Sequence, residues 1–170
     1  MNSSVTTEAT ATRRPRARRA TRTIPSFQLR VRRVRVAEGQ VPYAGDSVKT
    51  PEAVATMARS LIGDSAQEHF YVFFLDAKNR VIGCSEIARG GMDMCLVDPR
   101  ILFRTAILAG AASLIVAHNH PSGDASPSRE DQELTRRLRQ GAQLLGIGLL
   151  DHVVVTADDF ESFAEAGLFR

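Results

Sequence analysis

Residues 114–134 constrain the fold of this chain most, because a buried strand, a tight turn and the start of a helix follow one another there. The apolar residues 114–117 predict a short buried strand, and His118 and His120 follow it directly. Side chains two apart on a strand share a face. We therefore expect both imidazole rings to point to one place.

The residues after the second histidine return a carboxylate to that place. Residues 121–123 (Pro-Ser-Gly) predict a turn, and residues 126–128 (Ser-Pro-Ser) predict the start of a helix whose first turn carries Asp131. Two imidazoles and a carboxylate are the ligands of a catalytic zinc whose fourth position stays open for water. We predict a zinc site formed by His118, His120 and Asp131.

Each part of this pattern has a simpler interpretation when it is taken alone. Ser128 and Asp131 form an [ST]-x-x-[DE] capping box, in which they stabilise the helix N-terminus. A lone His-x-His pair after a strand is more often accidental than metal-binding. The chain has only four histidines, so the joint occurrence of the pair, the turn and the carboxylate favours the metal site.

These residues give the chain a resemblance to a known family. His118-x-His120 followed after seven residues by Ser128-x-x-Asp131 is similar to the signature of JAMM (MPN+, or JAB) metalloproteases, and HNHPSGDASPSREDQELTRRL resembles their RadC branch. The resemblance covers about residues 48–170. It implies a cytidine-deaminase-like MPN fold, a mixed α/β sheet flanked by helices, and zinc-dependent cleavage of peptide or isopeptide bonds. RadC proteins usually carry an N-terminal region resembling a helix-hairpin-helix DNA-binding module, where this chain has a short arginine-rich tail.

The resemblance also implies roles for residues outside the ligand set. A glutamate upstream of the histidines is the base in JAMM enzymes, and Glu68 matches its position in the RadC pattern; Glu86, on the adjoining predicted strand, is the alternative. Ser128 would help to stabilise an oxyanion, which is commonly worth about 3 kcal/mol. Its hydroxyl can also cap the helix, since it can accept and donate at once. We predict that His152 is a structural histidine, with support of the metal site as the alternative.

Composition indicates one globular domain with a tail. A chain of 170 residues with 44% hydrophobic content supports one sizeable core, and no apolar run is long enough to span a bilayer. Cys84 and Cys95 are too few for a disulfide framework, so we expect a cytoplasmic setting and two small buried thiols. The resemblance to RadC proteins implies that the source is a bacterium. We divide the chain into a disordered tail (1–26), an edge strand with a linker (27–47) and the MPN domain (48–170).

The charge is divided unevenly along the chain. Residues 1–36 contain ten arginines and one glutamate, a net charge of +9, whereas residues 37–170 contain 12 basic and 18 acidic residues, a net charge of −6. We expect residues 1–24 to be disordered and to bind DNA or RNA weakly, without sequence preference and in a salt-dependent way. A solvated tail and an organellar transit peptide are the alternatives. No apolar segment follows Arg13 and Arg14, so we expect no export.

Hydrophobic periodicity in the rest of the chain predicts a layered α/β sheet. Residues 70–75 are apolar on both faces, as in a central strand, and form a predicted hairpin with residues 80–87. We predict strands at residues 27–36, 70–75, 80–87, 114–117 and 151–155, and helices at about residues 50–63, 99–108, 128–145 and 158–166.

Motifs for several other chemistries are missing from the sequence. A cytidine-type deaminase would need His-x-Glu and Pro-Cys-x-x-Cys, a thermolysin-like enzyme His-Glu-x-x-His, and a nucleotide-binding protein a Walker A or Gly-x-Gly-x-x-Gly loop. Three classes remain: a zinc peptidase or isopeptidase acting on a protein or peptide, a nucleic-acid-associated factor in DNA repair or a mobile element, and an inactive metal-binding scaffold. Glu68 and Ser128 favour the first class, because a scaffold does not need a base.

Overall fold

The computed structural model describes residues 47–63, 65–90 and 97–169. Within these residues, five strands form one mixed sheet and three helices cover its two faces, which confirms the predicted fold class. The elements in chain order are α1 (Pro51–Ile62), β1 (His69–Leu75), β2 (Val81–Arg89), α2 (Pro99–Ala109), β3 (Ser113–Asn119), α3 (Arg129–Leu145), β4 (Gly148–Val155) and β5 (Phe160–Ser162).

The order of the strands across the sheet is β2-β1-β3-β4-β5. β1 pairs antiparallel with both β2 and β3, and β4 pairs antiparallel with β5. β3 and β4 run parallel, with α3 as the crossover between them. Since β3 leads into the loop before α3, the end of β3 and the start of α3 lie at the same edge of the sheet.

The two faces of the sheet are covered by different helices, because β1 is apolar on both sides. Phe70 and Phe74 pack in one cluster with Leu138 of α3 and with residues of α2. Phe73 packs in a second cluster with Met57 of α1. We call these sides the α2/α3 face and the α1 face. Residues of β1 alternate between them, so the face of each side chain follows from its position.

Proline and glycine set the ends of the helices. α1 and α2 begin at Pro51 and Pro99, where the missing N–H removes no helical hydrogen bond. α2 and α3 end at Gly110 and Gly146, which both adopt the left-handed conformation that a residue with a side chain resists.

The helix predicted at residues 158–166 was wrong. The strand β5 occupies part of this segment and pairs with the end of β4, and turns follow it. The N–H of Thr156 donates to the carbonyl of Asp159 at 2.8 Å, and the N–H of Asp159 donates to the Thr156 hydroxyl at 2.9 Å. These bonds close a tight turn that joins two antiparallel strands, so local side-chain bonding outweighs the helical spacing of the apolar residues.

The prediction of a buried thiol at Cys84 was also wrong. Cys84 is exposed on β2, which is the outermost strand on its side of the sheet among the described residues. Cys95 lies outside the described residues.

The predictions for the N-terminal part of the chain also fall outside the described residues. They are the tail at residues 1–26 with its nucleic-acid affinity, and the edge strand at residues 27–36. Among the residues that the structure does describe, no helix is both long and apolar enough to cross a membrane.

The packing of α3 against the sheet gives a stability prediction. Leu138 is 1% exposed, whereas Leu144 on the same helix is 88% exposed. We expect Leu138→Ala to lower the free energy of unfolding by about 2–5 kcal/mol, because it leaves a cavity. Leu144→Ala should change it by no more than about 0.5 kcal/mol. Urea unfolding of both variants checks this; equal losses would contradict the assignment of the buried face.

Candidate metal centre

The two histidines of the His-x-His pair lie side by side at the end of β3. His118 pairs with Phe70 of β1, so its fully buried ring lies on the α2/α3 face and stacks on the Phe70 ring. His120 lies just beyond β3, and its N–H donates to the carbonyl of Val155 at 2.9 Å. This bond continues the extended backbone, so the two rings share a face, and their Nε2 atoms are 3.0 Å apart.

A turn and a helix cap return Asp131 to the histidines. Gly123, with φ of +84°, donates its N–H to the carbonyl of His120 and reverses the chain. α3 begins after Ser128, and Asp131 lies in its first turn. The Oδ1 atom of Asp131 is 3.1 Å from the Nε2 of His118, and its Oδ2 atom is 3.3 Å from the Nε2 of His120. One ligand atom from each of the three residues lies within 4.8 Å of the others.

The loop before α3 determines which nitrogen of His120 faces the cluster as a ligand atom. Its Nδ1 is 2.8 Å from the carbonyl oxygen of Asp124. A carbonyl oxygen only accepts, so Nδ1 carries a proton and donates it. In the neutral ring, Nε2 therefore has a lone pair directed at His118 and Asp131.

A second chain of hydrogen bonds lies behind His118. The Nδ1 of His118 is 2.8 Å from the Nε2 of His152, whose Nδ1 is 2.5 Å from the hydroxyl of Thr135. The hydroxyl is 2.6 Å from the backbone carbonyl of Asp131. His152 is fully buried, and burial lowers its pKa well below the usual range, so its ring is neutral.

This set of atoms fits a divalent metal such as zinc. Nε2 of His118 and Nε2 of His120 face each other and a carboxylate, and two lone pairs so close repel each other unless a cation or proton lies between them. The pKa of His120 is raised, chiefly by its hydrogen bond to Asp131. Burial acts to raise the pKa of Asp131, but its polar contacts with His118 and His120 outweigh burial and hold that pKa far below its usual range. The carboxylate is therefore charged, as a metal ligand must be.

Glu68, the predicted base, directly precedes β1. It is two residues before Phe70, so regular alternation directs its side chain to the α2/α3 face, where His118 lies. Its negative charge is also one of the smaller causes that raise the pKa of His120, after the hydrogen bond to Asp131. The side chain is only partly buried, so solvent can reach it.

Asn119, between the two histidines, connects them to the backbone around Glu68. Its side chain accepts from the N–H of His69 at 2.7 Å and donates to the carbonyl of Gln67 at 3.0 Å. Asn119 is itself 8% exposed, so water competes little for these bonds. The residue between the ligands therefore holds the backbone on both sides of Glu68.

Glu86, the alternative base, lies on the α1 face. It pairs with Tyr71, and its carboxylate contacts the Nδ1 of His69 at 2.6 Å and the Nε of Arg89 at 3.0 Å. The hydrogen bond from Arg89 is the main cause that lowers the pKa of Glu86. The carboxylate is thus held by two partners on the side of the sheet away from His118.

Ser128 caps α3 and contacts the candidate ligand directly. Its hydroxyl accepts from the N–H of Asp131 at 3.1 Å and donates to Oδ2 of Asp131 at 2.5 Å, while its own N–H donates to the same oxygen at 2.8 Å. The predicted capping box is therefore present. In this arrangement, the hydroxyl proton of Ser128 is directed at the carboxylate.

Sequence reasoning did not single out Thr135 or Asn119, and it treated His152 mainly as structural. Thr135 follows Asp131 by four residues, so helical spacing places both on one face and could have identified it. His152 contacts His118 through the register of β3 and β4, in which it pairs with Val116. No motif in the sequence encodes that register.

Comparisons with known proteins place this chain in a family. A profile of the RadC-like JAB domain matches residues 48–168, which include every residue of the site. The chain is 37% identical over 134 residues to a UPF0758 protein of Geobacter sulfurreducens, covering 79% of this chain and 58% of that protein. It is 48% identical over 120 residues to a UPF0758 protein of Burkholderia cenocepacia, covering 71% of this chain and 47% of that protein. It is 41% identical over 149 residues to a UPF0758 protein of Bacillus cereus, covering 88% of this chain and 64% of that protein. The chain thus spans less than two thirds of the length of each of these relatives.

The electrostatics of the cluster give a pH prediction. Zinc binds an unprotonated imidazole, and the pKa of His120 lies above its ordinary value of 6.5. Protonation of His120 therefore begins above pH 6.5, and the proton competes more strongly with the metal as the pH falls. We expect zinc affinity to decrease steadily from about pH 8 to pH 6. Competition with a chelator of known pH dependence measures the zinc affinity. The variant His118→Ala/His120→Ala is the control for zinc that binds at other sites. A constant affinity over this range would contradict the prediction.

Proposed function

This chain belongs to the RadC-like JAB domain family, and we propose that it is a zinc-dependent hydrolase of peptide or isopeptide bonds in a protein or peptide substrate. The observation that carries the proposal is the convergence of Nε2 of His118, Nε2 of His120 and the carboxylate of Asp131 at one point. Glu68 lies on the same face of the sheet, so a proton acceptor accompanies the ligand set.

The three converging side chains would hold the metal. When bound, zinc polarises a substrate carbonyl and lowers the pKa of water to about 7. The protein contributes the fixed positions of the donor atoms: a strand presents His118, the hydrogen bond to Asp124 orients His120, and a helix cap presents Asp131.

Glu68 would carry the proton of the reaction. Hydrolysis of an amide moves a proton from the attacking water to the leaving amine, and a positioned carboxylate contributes about 10²- to 10⁴-fold to the rate by doing so. The bonds of Asn119 to Gln67 and His69 fix the backbone at Glu68 relative to the histidines. Proton transfer requires a base at a fixed position within hydrogen-bond distance of the proton, and these bonds would give Glu68 such a position.

Ser128 would stabilise the developing negative charge on the substrate oxygen. Its proton now faces Asp131, and rotation about the Cβ–Oγ bond would redirect it to that oxygen. The N–H of Ser128 would continue to bind Asp131 during this rotation, so the carboxylate keeps a partner. A donor aimed at such a charge is commonly worth about 3 kcal/mol.

Nucleic-acid binding is a separate proposal that depends on residues 1–24. The net charge of +9 over residues 1–36 supports weak, salt-dependent contact with DNA or RNA. This proposal and the metal centre rest on different residues, so each can be tested without the other.

The test separates metal binding from catalysis by measuring zinc content and hydrolysis in the same variants. We expect Glu68→Gln to retain the zinc content of the wild type and to lose hydrolysis by about 10²- to 10⁴-fold, because the amide cannot accept the proton. Glu86→Gln should retain both, since Glu86 lies on the other face. The substrate is a bacterial proteome digest, in which new amino termini and released lysine side chains are counted by mass spectrometry, with zinc measured on the same samples.

His118→Ala/His120→Ala is the reference for metal loss in this experiment and should lack both zinc and hydrolysis. Activity retained in Glu68→Gln but lost in Glu86→Gln would transfer the role to Glu86. Full activity in both would reject an upstream glutamate base. Equal zinc in the wild type and the double histidine variant would overturn the metal centre itself.

A further inference from the structure

We infer that Thr135 and His152 form a hydrogen-bonded relay that fixes the tautomer of His118, so that Nε2 of His118 is its metal-binding atom. The inference rests on the proposed metal centre and assigns two positioning residues to it. Neither residue is among the ligands, and the relay lies entirely behind His118.

The direction of the relay is set at the helix. The hydroxyl of Thr135 has one proton, and it lies 2.6 Å from the backbone carbonyl of Asp131, which can only accept. The proton therefore points to that carbonyl. The Nδ1 of His152, 2.5 Å from the same hydroxyl oxygen, must then be the donor in the second bond.

Burial settles the next bond. A single proton lies between Nε2 of His152 and Nδ1 of His118, which are 2.8 Å apart. If His152 held it, its ring would carry protons on both nitrogens and would be a cation with no exposed surface. A buried cation is costly unless a charged group pairs with it, and the partners of this ring are a hydroxyl and an imidazole. The proton is therefore on Nδ1 of His118.

The position of this proton determines which nitrogen of His118 can bind a metal. With its one proton on Nδ1, the neutral ring of His118 has a lone pair on Nε2, the atom 3.0 Å from Nε2 of His120 and 3.1 Å from Asp131. A relay running the other way would put a proton there and block a metal. The backbone carbonyl of Asp131 thus orients one ligand, while its side chain is another.

The surrounding rings hold the relay in place. Phe163 stacks on His152 with ring centres 4.6 Å apart, and Phe70 meets the edge of the same ring at 5.5 Å. Thr135 is 3% exposed, so water has little access to its hydroxyl. Since neither ring flipping nor water offers an easy alternative, the pattern of donors persists.

The matched variants are Thr135→Val, Thr135→Ser and Thr105→Val. Thr135→Val keeps the shape but removes the hydroxyl, so the two tautomers of His152 become similar in energy and a proton competes for Nε2 of His118. Thr135→Ser keeps the hydroxyl. Thr105→Val removes a hydrogen bond to the carbonyl four residues back, at 2.8 Å, on helix α2, outside the relay.

Zinc affinity and histidine tautomers are measured on the full chain, by chelator competition near neutral pH and by long-range ¹H–¹⁵N correlation spectra. Thr135→Val should bind zinc about 10- to 100-fold more weakly, the usual effect of removing an outer hydrogen-bond partner. Thr135→Ser and Thr105→Val should bind like the wild type. The spectra of the wild type should place the protons of His118 and His152 on Nδ1.

Two results would overturn the relay. One is zinc affinity in Thr135→Val equal to that of the wild type; the other is a wild-type spectrum with the His152 proton on Nε2. The second is read from the metal-free wild type, so it decides the matter even if Thr135→Val does not fold. A wild type that binds no zinc through His118 and His120 would instead reject the proposed function.

Discussion

The parallel pairing of β3 with β4 is the interaction on which the rest of the site depends. It holds His118 and the extended backbone of His120 at one edge of the sheet. It also places His152, opposite Val116, behind His118. Because parallel strands need a crossover, α3 must pack across the same face, and its first turn brings Asp131 to the histidines. One pairing therefore assembles groups from three separate elements.

Burial makes it costly to leave the polar groups of this site without hydrogen-bond partners. Asp131 and His118 are largely removed from water, where a charge or a lone pair without a partner costs several kcal/mol. Hydrogen bonds satisfy these groups: Ser128 donates to the carboxylate, the carbonyl of Asp124 accepts from Nδ1 of His120, and Nε2 of His152 accepts from Nδ1 of His118. The remaining lone pairs converge on one point, so the features that make the polar groups stable in the fold also prepare them for a cation.

Much of this was predictable from the sequence, because local rules apply to it. The apolar run before His118, the turn at Gly123 and the cap at Ser128 are short-range signals, and they predicted the strand, the loop and the helix that bring the candidate ligands together. Contacts that depend on register were not predictable: the position of His152 follows from pairing between strands far apart in sequence. The prediction of a helix at residues 158–166 was wrong for a related reason. The turn at Thr156 joins β4 and β5 in a hairpin, which the spacing of apolar residues does not indicate.

The most direct test of the metal centre is a crystal structure of the zinc-loaded protein, with anomalous diffraction recorded on both sides of the zinc absorption edge. We predict one anomalous peak bonded to Nε2 of His118, Nε2 of His120 and a carboxylate oxygen of Asp131, with Glu68 nearby but not bonded. A peak at another position, a bond through Nδ1 of His118, or no peak among these side chains would contradict the central claim that they form one metal site.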